Sequence, residues 1–345
     1  MADMDNTPLK PSEQPFEALP VPAGTCKLSF LKTGTLTMPA FMFCQDYKGD
    51  MLLTDYSFLI EHPSSGRRVL FDLGLRKDLK YPSKLDKMFS IWKCTAPSSP
   101  QEILRNNGID LESVDTVIFS HTHFDHIGDV SDLPSSTILQ FGPYNDLSKM
   151  EDKQKLADSL FVNLKDVKNR QVKHLSDAEW ETYGNLGGYD FFGDASLVLL
   201  DTPGHMEGHL GALVCVSTGS QGSEPLYYFL GGDAAHHINL IDYEDPTPIG
   251  VFKAKHNEIS PVRETDPESL QSMDVDLQVS KKTLALMARQ DHEPNINVIL
   301  AHDQTLETVL KEINGGQEGD LIRLDGSKGE HLLFKNRKRK EKGEA

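Results

Sequence analysis

The chain has 345 residues, 38% hydrophobic and 25% charged, enough to bury a large core as two domains or one large α/β unit. A formal net charge of −17 argues against a phosphate-binding surface over the whole body, so no nucleic-acid partner is expected. No apolar run reaches the length of a membrane span, so no membrane partner is expected, and four scattered cysteines (Cys26, Cys44, Cys94 and Cys215) do not make a disulfide scaffold.

Residues Met1 to about Ala23 carry Pro8, Pro11, Pro15, Pro20 and Pro22 among polar residues. They read as an extended arm lying across the body or a partner subunit, which leaves a homodimer open. Met1 to Gln14 is polar and proline-containing, unlike a signal peptide, and no Asn-x-Ser/Thr acceptor occurs, so a reducing cytoplasmic setting is expected. Lys27 to Phe30, a turn at Gly34 and a run around Thr35 to Met38 predict strands. Ser57 to Glu61 and Arg68 to Asp72 flank His62-Pro63-Ser64-Ser65-Gly66, a hairpin-turn composition, so the opening reads as a β-meander.

Leu75 to Ser99 reads as an irregular or partly helical insertion whose Tyr81, Phe89 and Trp92 are candidates for the wall of a pocket. Ser99-Pro100-Gln101-Glu102 predicts a helix start and Asn107-Gly108 its stop. Thr116 to Phe119 predicts a strand that runs into Ser120-His121-Thr122-His123-Phe124-Asp125-His126-Ile127-Gly128-Asp129. Thr137 to Phe141, Ser196 to Leu200, Leu210 to Ser217, Leu226 to Leu230 and Ile296 to Leu300 also read as strands. Leu147 to Ala157, Asp177 to Thr182 and Leu277 to Arg289 read as helical.

Three of those later strands end in polar knots: Asp201-Thr202-Pro203-Gly204-His205, Gly231-Gly232-Asp233-Ala234-Ala235-His236-His237, and Ala301-His302-Asp303. Ile238 to Met273, acidic and dotted with prolines, reads as a surface insertion or lid, with Tyr243 and Phe252 as further wall candidates. The run from Lys335 to Lys342 is basic and reads as a solvated tail or a nuclear address. The expected boundaries are therefore an arm over 1–23, a body over 24–330 and a basic tail over 331–345.

A histidine pair at i and i+2, with Asp and His at i+4 and i+5, can put two imidazoles on one ion and a carboxylate plus imidazole beside it when a loop turns at a strand end. Imidazole with carboxylate suits zinc, iron, manganese or cobalt rather than calcium. His205, Asp233 and His302 can complete the set, giving five histidines and two aspartates, enough for two ions. His209, beside Gly208, reads as structural. Asp129 and Asp303, adjacent to ligands in the chain, are candidates for orienting imidazoles from outside the ion's contacts.

His121-x-His123-x-Asp125-His126, His205 in Thr-Pro-Gly-His-Met-Glu-Gly-His, Asp233 in Gly-Gly-Asp and His302 in Ala-His-Asp together resemble the metallo-β-lactamase superfamily. Within it, length, the N-terminal meander and the Thr-Pro-Gly-His-x-x-Gly-His block are most similar to the quorum-quenching N-acyl homoserine lactonases. The resemblance covers roughly residues 25 to 325 and implies a four-layer αββα sandwich with metals at one edge of the two sheets. It also implies two divalent ions, with zinc expected: His121, His123 and His205 on one, Asp125, His126 and His302 on the other, and Asp233 bridging.

The chemistry implied is metal-dependent hydrolysis, in which a hydroxide shared by two ions opens a cyclic ester or amide, a small-molecule lactone or lactam. Asp125 would be ligand and proton carrier. One departure stands out: the lactonases place tyrosine three residues after the bridging aspartate, and His236 is here. An imidazole could protonate a lactam nitrogen, so His236 joins Asp125 as a catalytic candidate. The alternatives are a glyoxalase-II-like thioesterase, a mononuclear iron persulfide dioxygenase, and a catalytically silent metal-stabilised binding protein.

Overall fold

A computed structural model describes residues 15–81, 92–144, 167–176, 178–219, 223–253 and 270–337. The chain opens with three antiparallel strands, β1 (Lys27–Pro39), β2 (Asp50–His62) and β3 (Arg67–Phe71), joined by the expected hairpin turn at His62–Gly66. β4 (Val114–Ile118), β5 (Ile138–Phe141) and β6 (Val172–His174) then add in parallel, and β15 (Leu321–Arg323) returns to pair with β1. The resulting order is β15-β1-β2-β3-β4-β5-β6.

A second sheet takes β7 (Glu181–Tyr183), β8 (Leu186–Asp190), β9 (Leu197–Asp201), β10 (Leu210–Ser217) and β11 (Leu226–Leu230), all antiparallel, with β14 (Ile296–Ile299) parallel to β11. The short pair β12 (Phe252–Lys253) and β13 (Leu270–Gln271) stands apart. Among the described residues the α-helices are α1 (Pro100–Asn106), α2 (Phe124–Ile127), α3 (Leu277–His292), α4 (Leu306–Ile313) and α5 (Lys328–Lys335).

Layering follows from the period-two alternation of a strand. Phe30, Phe58, Phe71 and Ile118 of the first sheet face Leu197, Leu199, Ala212, Val214 and Tyr228 of the second, forming the core between the sheets. Their neighbours Leu31, Leu59, Leu70 and Val117 point outward onto Ile103 and Leu104 of α1. Val198, Leu200, Leu213 and Phe229 point outward from the second sheet onto Leu284, Met287 and Ala288 of α3. Both sheets are thus apolar on both faces, and the architecture is an αββα sandwich.

Helix α1 starts where the sequence places it. Ser99 accepts from the Glu102 amide and the Glu102 side chain returns to the Ser99 amide, a reciprocal cap of the kind worth about 1 kcal/mol. Gly34, expected in a turn, instead lies inside the continuous strand β1, where the register with β2 shifts between Lys32 and Gly34. The Thr95 carbonyl passes so close that a Cβ at position 34 would sit 2.5 Å from it, which explains the glycine.

Other boundaries also change. Glu181 and Thr182, expected to be helical, pair as strand β7 with β8. His331 and Phe334, assigned to the tail, are buried in α5, where Phe334 stacks on Phe30 at 5.7 Å. The body therefore runs past residue 330, since an apolar ring among these residues completes the inter-sheet core. Residues 15–23 run along the body, with the Glu17 amide on Asn185 Oδ1 (2.9 Å) and the Ala23 amide on Asp194 O (2.8 Å). Positions 1–14, Phe89, the predicted helix at Leu147–Ala157, Asp177 and most of the basic tail lie outside the described residues. All four cysteines are free and buried, and no described helix is long and apolar enough to cross a membrane.

Candidate metal centre

Four strands end at one edge of the sandwich, and each delivers part of one cluster. β4 leads to His121 and His123 and into α2, which carries Asp125 and His126; β9 leads to His205, β11 to Asp233 and β14 to His302. Rigid strands fix where these side chains emerge. All except half-buried His123 are buried. Their ligand-type atoms fall into two groups: His121, His123 and His205 with Asp233, and Asp125 with His126 and His302.

Asp233 stands between the groups. Its Oδ1 lies 3.2 Å from His126 Nε2 and 3.3 Å from His302 Nε2. Its Oδ2 lies 3.7 Å from His121 Nε2 and 3.9 Å from His205 Nε2. His302 Nε2 is also 3.6 Å from Asp125 Oδ2, and His123 turns Nδ1 to within 3.0 Å of His205 Nε2.

The far side of each ring fixes its tautomer. His126 Nδ1 donates to Asp72 Oδ2 (2.8 Å), His302 Nδ1 to the Thr54 carbonyl (3.1 Å) and His205 Nδ1 to Asp274 Oδ1 (3.1 Å). Ser120 Oγ donates to Asp72 Oδ2 (2.7 Å), which leaves it to accept from His121 Nδ1 (3.0 Å). All four rings therefore turn Nε2 toward the centre. His121 Nε2, His126 Nε2 and Asp233 Oδ1 are buried atoms without a hydrogen bond of proper geometry. Burial of such atoms is costly unless something pairs with them, and this convergent nitrogen and oxygen set fits divalent cations.

Burial opposes charge on every ring, with different outcomes. At His121 and His205 burial wins, and neighbouring imidazoles reinforce it, holding both pKa values well below the ordinary histidine range. At His126 the carboxylates of Asp233 and Asp72 outweigh burial and hold the ring well above that range. At His302, Asp233 and Asp125 do the same and push the ring up to about 9. Burial would raise Asp233, but His126, His302 and His236 hold it well below the usual carboxylate range.

His236 belongs to the same cluster: its Nε2 lies 3.4 Å from Asp233 Oδ2, and its ring packs on Phe43, centroids 5.0 Å apart. His209 uses both nitrogens on the backbone around the site. Nδ1 donates to the Thr202 carbonyl (3.1 Å) and Nε2 accepts the Asp233 amide (3.1 Å), so the ring seats Asp233 rather than joining the ligand-type atoms. Gly204, with φ +125°, has no room for a Cβ, because Ser280 N would lie 2.4 Å away; this close approach sets the turn before His205.

Two expectations are corrected. Asp129 does not touch an imidazole of the cluster; its Oδ2 pairs with Arg76 Nη2 (2.8 Å) and its Oδ1 accepts the Ser131 amide (2.9 Å). Asp303 accepts the Thr305 amide (2.9 Å) and faces Arg337 Nε (3.3 Å). Asp72 and Asp274 hold the imidazoles instead. Asp72 sits at the end of β3, a strand end like those that carry the ligand-type residues, whereas Asp274 has no local signature.

The wall candidates divide as well. Tyr81 and Trp92 flank Phe124, the residue before Asp125, at 5.9 and 5.8 Å. Phe252 meets Phe41 at 6.3 Å, and Tyr243 stacks on His292 at 3.8 Å. Phe43, against His236, was not among the expected residues.

Comparison with known proteins gives a consistent picture. A family profile described as the metallo-beta-lactamase superfamily matches residues 53–219. The metallo-hydrolase mfmC of Annulohypoxylon moriforme is 30% identical over 348 residues, covering 92% of this chain and 90% of that protein. The gamma-lactamase FDB1 of Fusarium pseudograminearum is 33% identical over 283 residues, covering 73% of this chain and 66% of that protein. Among solved structures, an N-acyl homoserine lactone hydrolase with the product N-hexanoyl-L-homoserine at its catalytic metal centre superposes with a TM-score of 0.51. It is 15% identical and covers 83% of this chain and 96% of that chain, a likeness of fold.

Proposed function

Because this chain belongs to the metallo-β-lactamase superfamily, we propose that it is a binuclear metal-dependent hydrolase that opens a cyclic ester or cyclic amide. The observation that carries this reading is Asp233, whose two oxygens face opposite ligand groups, Oδ1 toward His126 and His302 and Oδ2 toward His121 and His205. His121, His123 and His205 would hold one divalent ion, Asp125, His126 and His302 the other, with Asp233 shared. Zinc suits this set of imidazoles and carboxylates. Two such ions, when bound, supply a water acidic enough to attack at neutral pH and a Lewis acid for the carbonyl oxygen.

The chain's own groups do the rest. Asp125, 6% exposed, has Oδ2 beside His302 and can take the proton lost by the attacking water and carry it to the leaving atom. His236, backed by Phe43, points Nε2 at Asp233 from the side of the first triplet and is placed to donate a proton to a leaving nitrogen or oxygen. A cyclic amide needs such a donor more than an ester does, because an amine anion is the poorer leaving group. The gamma-lactamase relatives favour the same substrate class.

The test is metal analysis of the purified protein combined with a panel of lactones, lactams and thioesters. The expected result is about two zinc per chain and metal-dependent opening of a lactone or lactam. Turnover confined to thioesters would replace the reading with a thioesterase. Normal metal content with no turnover would leave a metal-stabilised binding protein.

A further inference from the structure

The far-side partners of the imidazoles come from different parts of the chain. His126 and His302 lean on Asp72 and Thr54, at the end of β3 and within β2 of the first sheet. His205 leans on Asp274, which follows β13 and closes the long 238–276 segment just before α3. Asp274 is 5% exposed, and its carboxylate lies within 4.8 Å of ring nitrogens of both His205 and His236.

The surrounding backbone holds this carboxylate firmly. Ser272 Oγ accepts the Asp274 amide (3.2 Å) and donates to the Asp274 carbonyl (2.9 Å). The Val275 amide donates to the His205 carbonyl and the Asp276 amide to the Gly204 carbonyl, each at 2.9 Å. Thr283 Oγ1 of α3 donates to the Pro203 carbonyl at 2.6 Å. Segment 272–283 therefore grips the 203–205 loop through its backbone, while Asp274 reaches the ring that this loop presents.

We propose that Asp274 is a positioning residue through which the segment ahead of α3 sets the affinity of the ion held by His121, His123 and His205. The inference rests on the binuclear reading above. A cation on His205 Nε2 would polarise the ring and make its Nδ1–H a stronger donor to the Asp274 carboxylate than in the metal-free chain. By reciprocity the ion must in turn tighten the seating of residues 274–276 on the loop. The other ion, whose ligands lean on the first sheet, is outside this coupling.

Zinc competition against a chromophoric chelator, on full-length wild type, Asp274→Asn and Ser327→Ala, tests the assignment. Asp274→Asn keeps the shape and an acceptor but removes the charge. One of two zinc equivalents should weaken ~10–100-fold, the range for loss of such a partner, while the other stays within about twofold. Ser327→Ala removes a helix cap of the same kind, on the Glu330 amide of α5, and should leave both equivalents in place. Independently of any variant, removing zinc from the wild type should speed hydrogen exchange at the Val275 and Asp276 amides more than at amides of β4.

Two tight equivalents in both wild type and Asp274→Asn, equal weakening of both, or the same loss in Ser327→Ala would overturn the inference alone. Exchange at 275 and 276 that ignores zinc would do so as well. A wild type binding fewer than two zinc ions would overturn the binuclear reading and this inference with it.

Discussion

The two triplets of ligand-type residues on either side of Asp233 have similar chemistry and different supports. Asp125, His126 and His302 are backed by a carboxylate and a carbonyl at the first sheet, Asp72 and Thr54. His121 leans on the Ser120 hydroxyl and His205 on Asp274, a residue of the long segment between β11 and α3. The triplets also differ in protonation when metal-free: His126 and His302 are held protonated by the carboxylates around them, whereas His121 and His205 stay neutral. One edge of a rigid sandwich thus offers one half-site built into a sheet and one coupled to an insertion.

The largest expected effect removes the comparison altogether. Asp233→Ala takes away the group both triplets share, so metal analysis should find both ions weakened and hydrolysis lost well beyond the ~10–100-fold that an outer partner costs. A variant that keeps full activity would remove Asp233 from the bridge. Asp72→Asn should then act unequally on the halves: it takes the charge from His126 directly and reaches His121 only through Ser120, so in zinc competition the Asp125–His126–His302 ion should weaken by ~10–100-fold and the other by less. Loss of the opposite equivalent would invert the comparison.

The pH dependence separates the halves without mutation. A ring protonated in the metal-free chain must release its proton before it can bind an ion. Zinc affinity at the Asp125–His126–His302 triplet should therefore rise with pH toward the His302 value of about 9, by about tenfold per pH unit for each proton displaced. His121 and His205, already neutral, should give no such slope near neutrality. Competition measured between pH 7 and 9, with proton release recorded, distinguishes a single sloping equivalent from two.

The smallest effect on metal binding is expected at His236. His236→Tyr should leave both zinc equivalents within about twofold and shift the lactone-to-lactam ratio toward lactone, with a loss on the lactam of ~10²-fold, the lower range for a proton donor. An unchanged ratio would remove the residue from the chemistry.

The sequence is most informative where structure is local. Residues 120–129, 201–205, 231–237 and 301–303 each combine a strand end with its ligand-type residues in one short stretch, so the whole cluster could be assembled before any fold was known. The helix cap at Ser99 is equally local. The far-side partners are not, because chain adjacency is a poor guide to spatial adjacency. Asp129 and Asp303 sit next to the motifs yet turn to Arg76, Thr305 and Arg337, while Asp72 and Asp274 reach the rings across 54 and 69 residues of chain.

Gly34 was misleading for a related reason. Its composition signals a turn, and only the passing Thr95 carbonyl shows that it serves close backbone approach. Helix α4 is absent from the expected elements although Leu306, Val309, Leu310 and Ile313 recur at helical spacing, and the role of Phe334 in closing the inter-sheet core needed the tertiary fold.

The central claim is that two ions sit on either side of Asp233. Crystals of the zinc-loaded protein, measured for anomalous scattering at the zinc edge, test it most directly. The account predicts two peaks about 3.5–4 Å apart, one among His121, His123 and His205, the other among Asp125, His126 and His302, each next to one Asp233 oxygen. A single peak in fully loaded protein, or a pair that does not share Asp233, would contradict it.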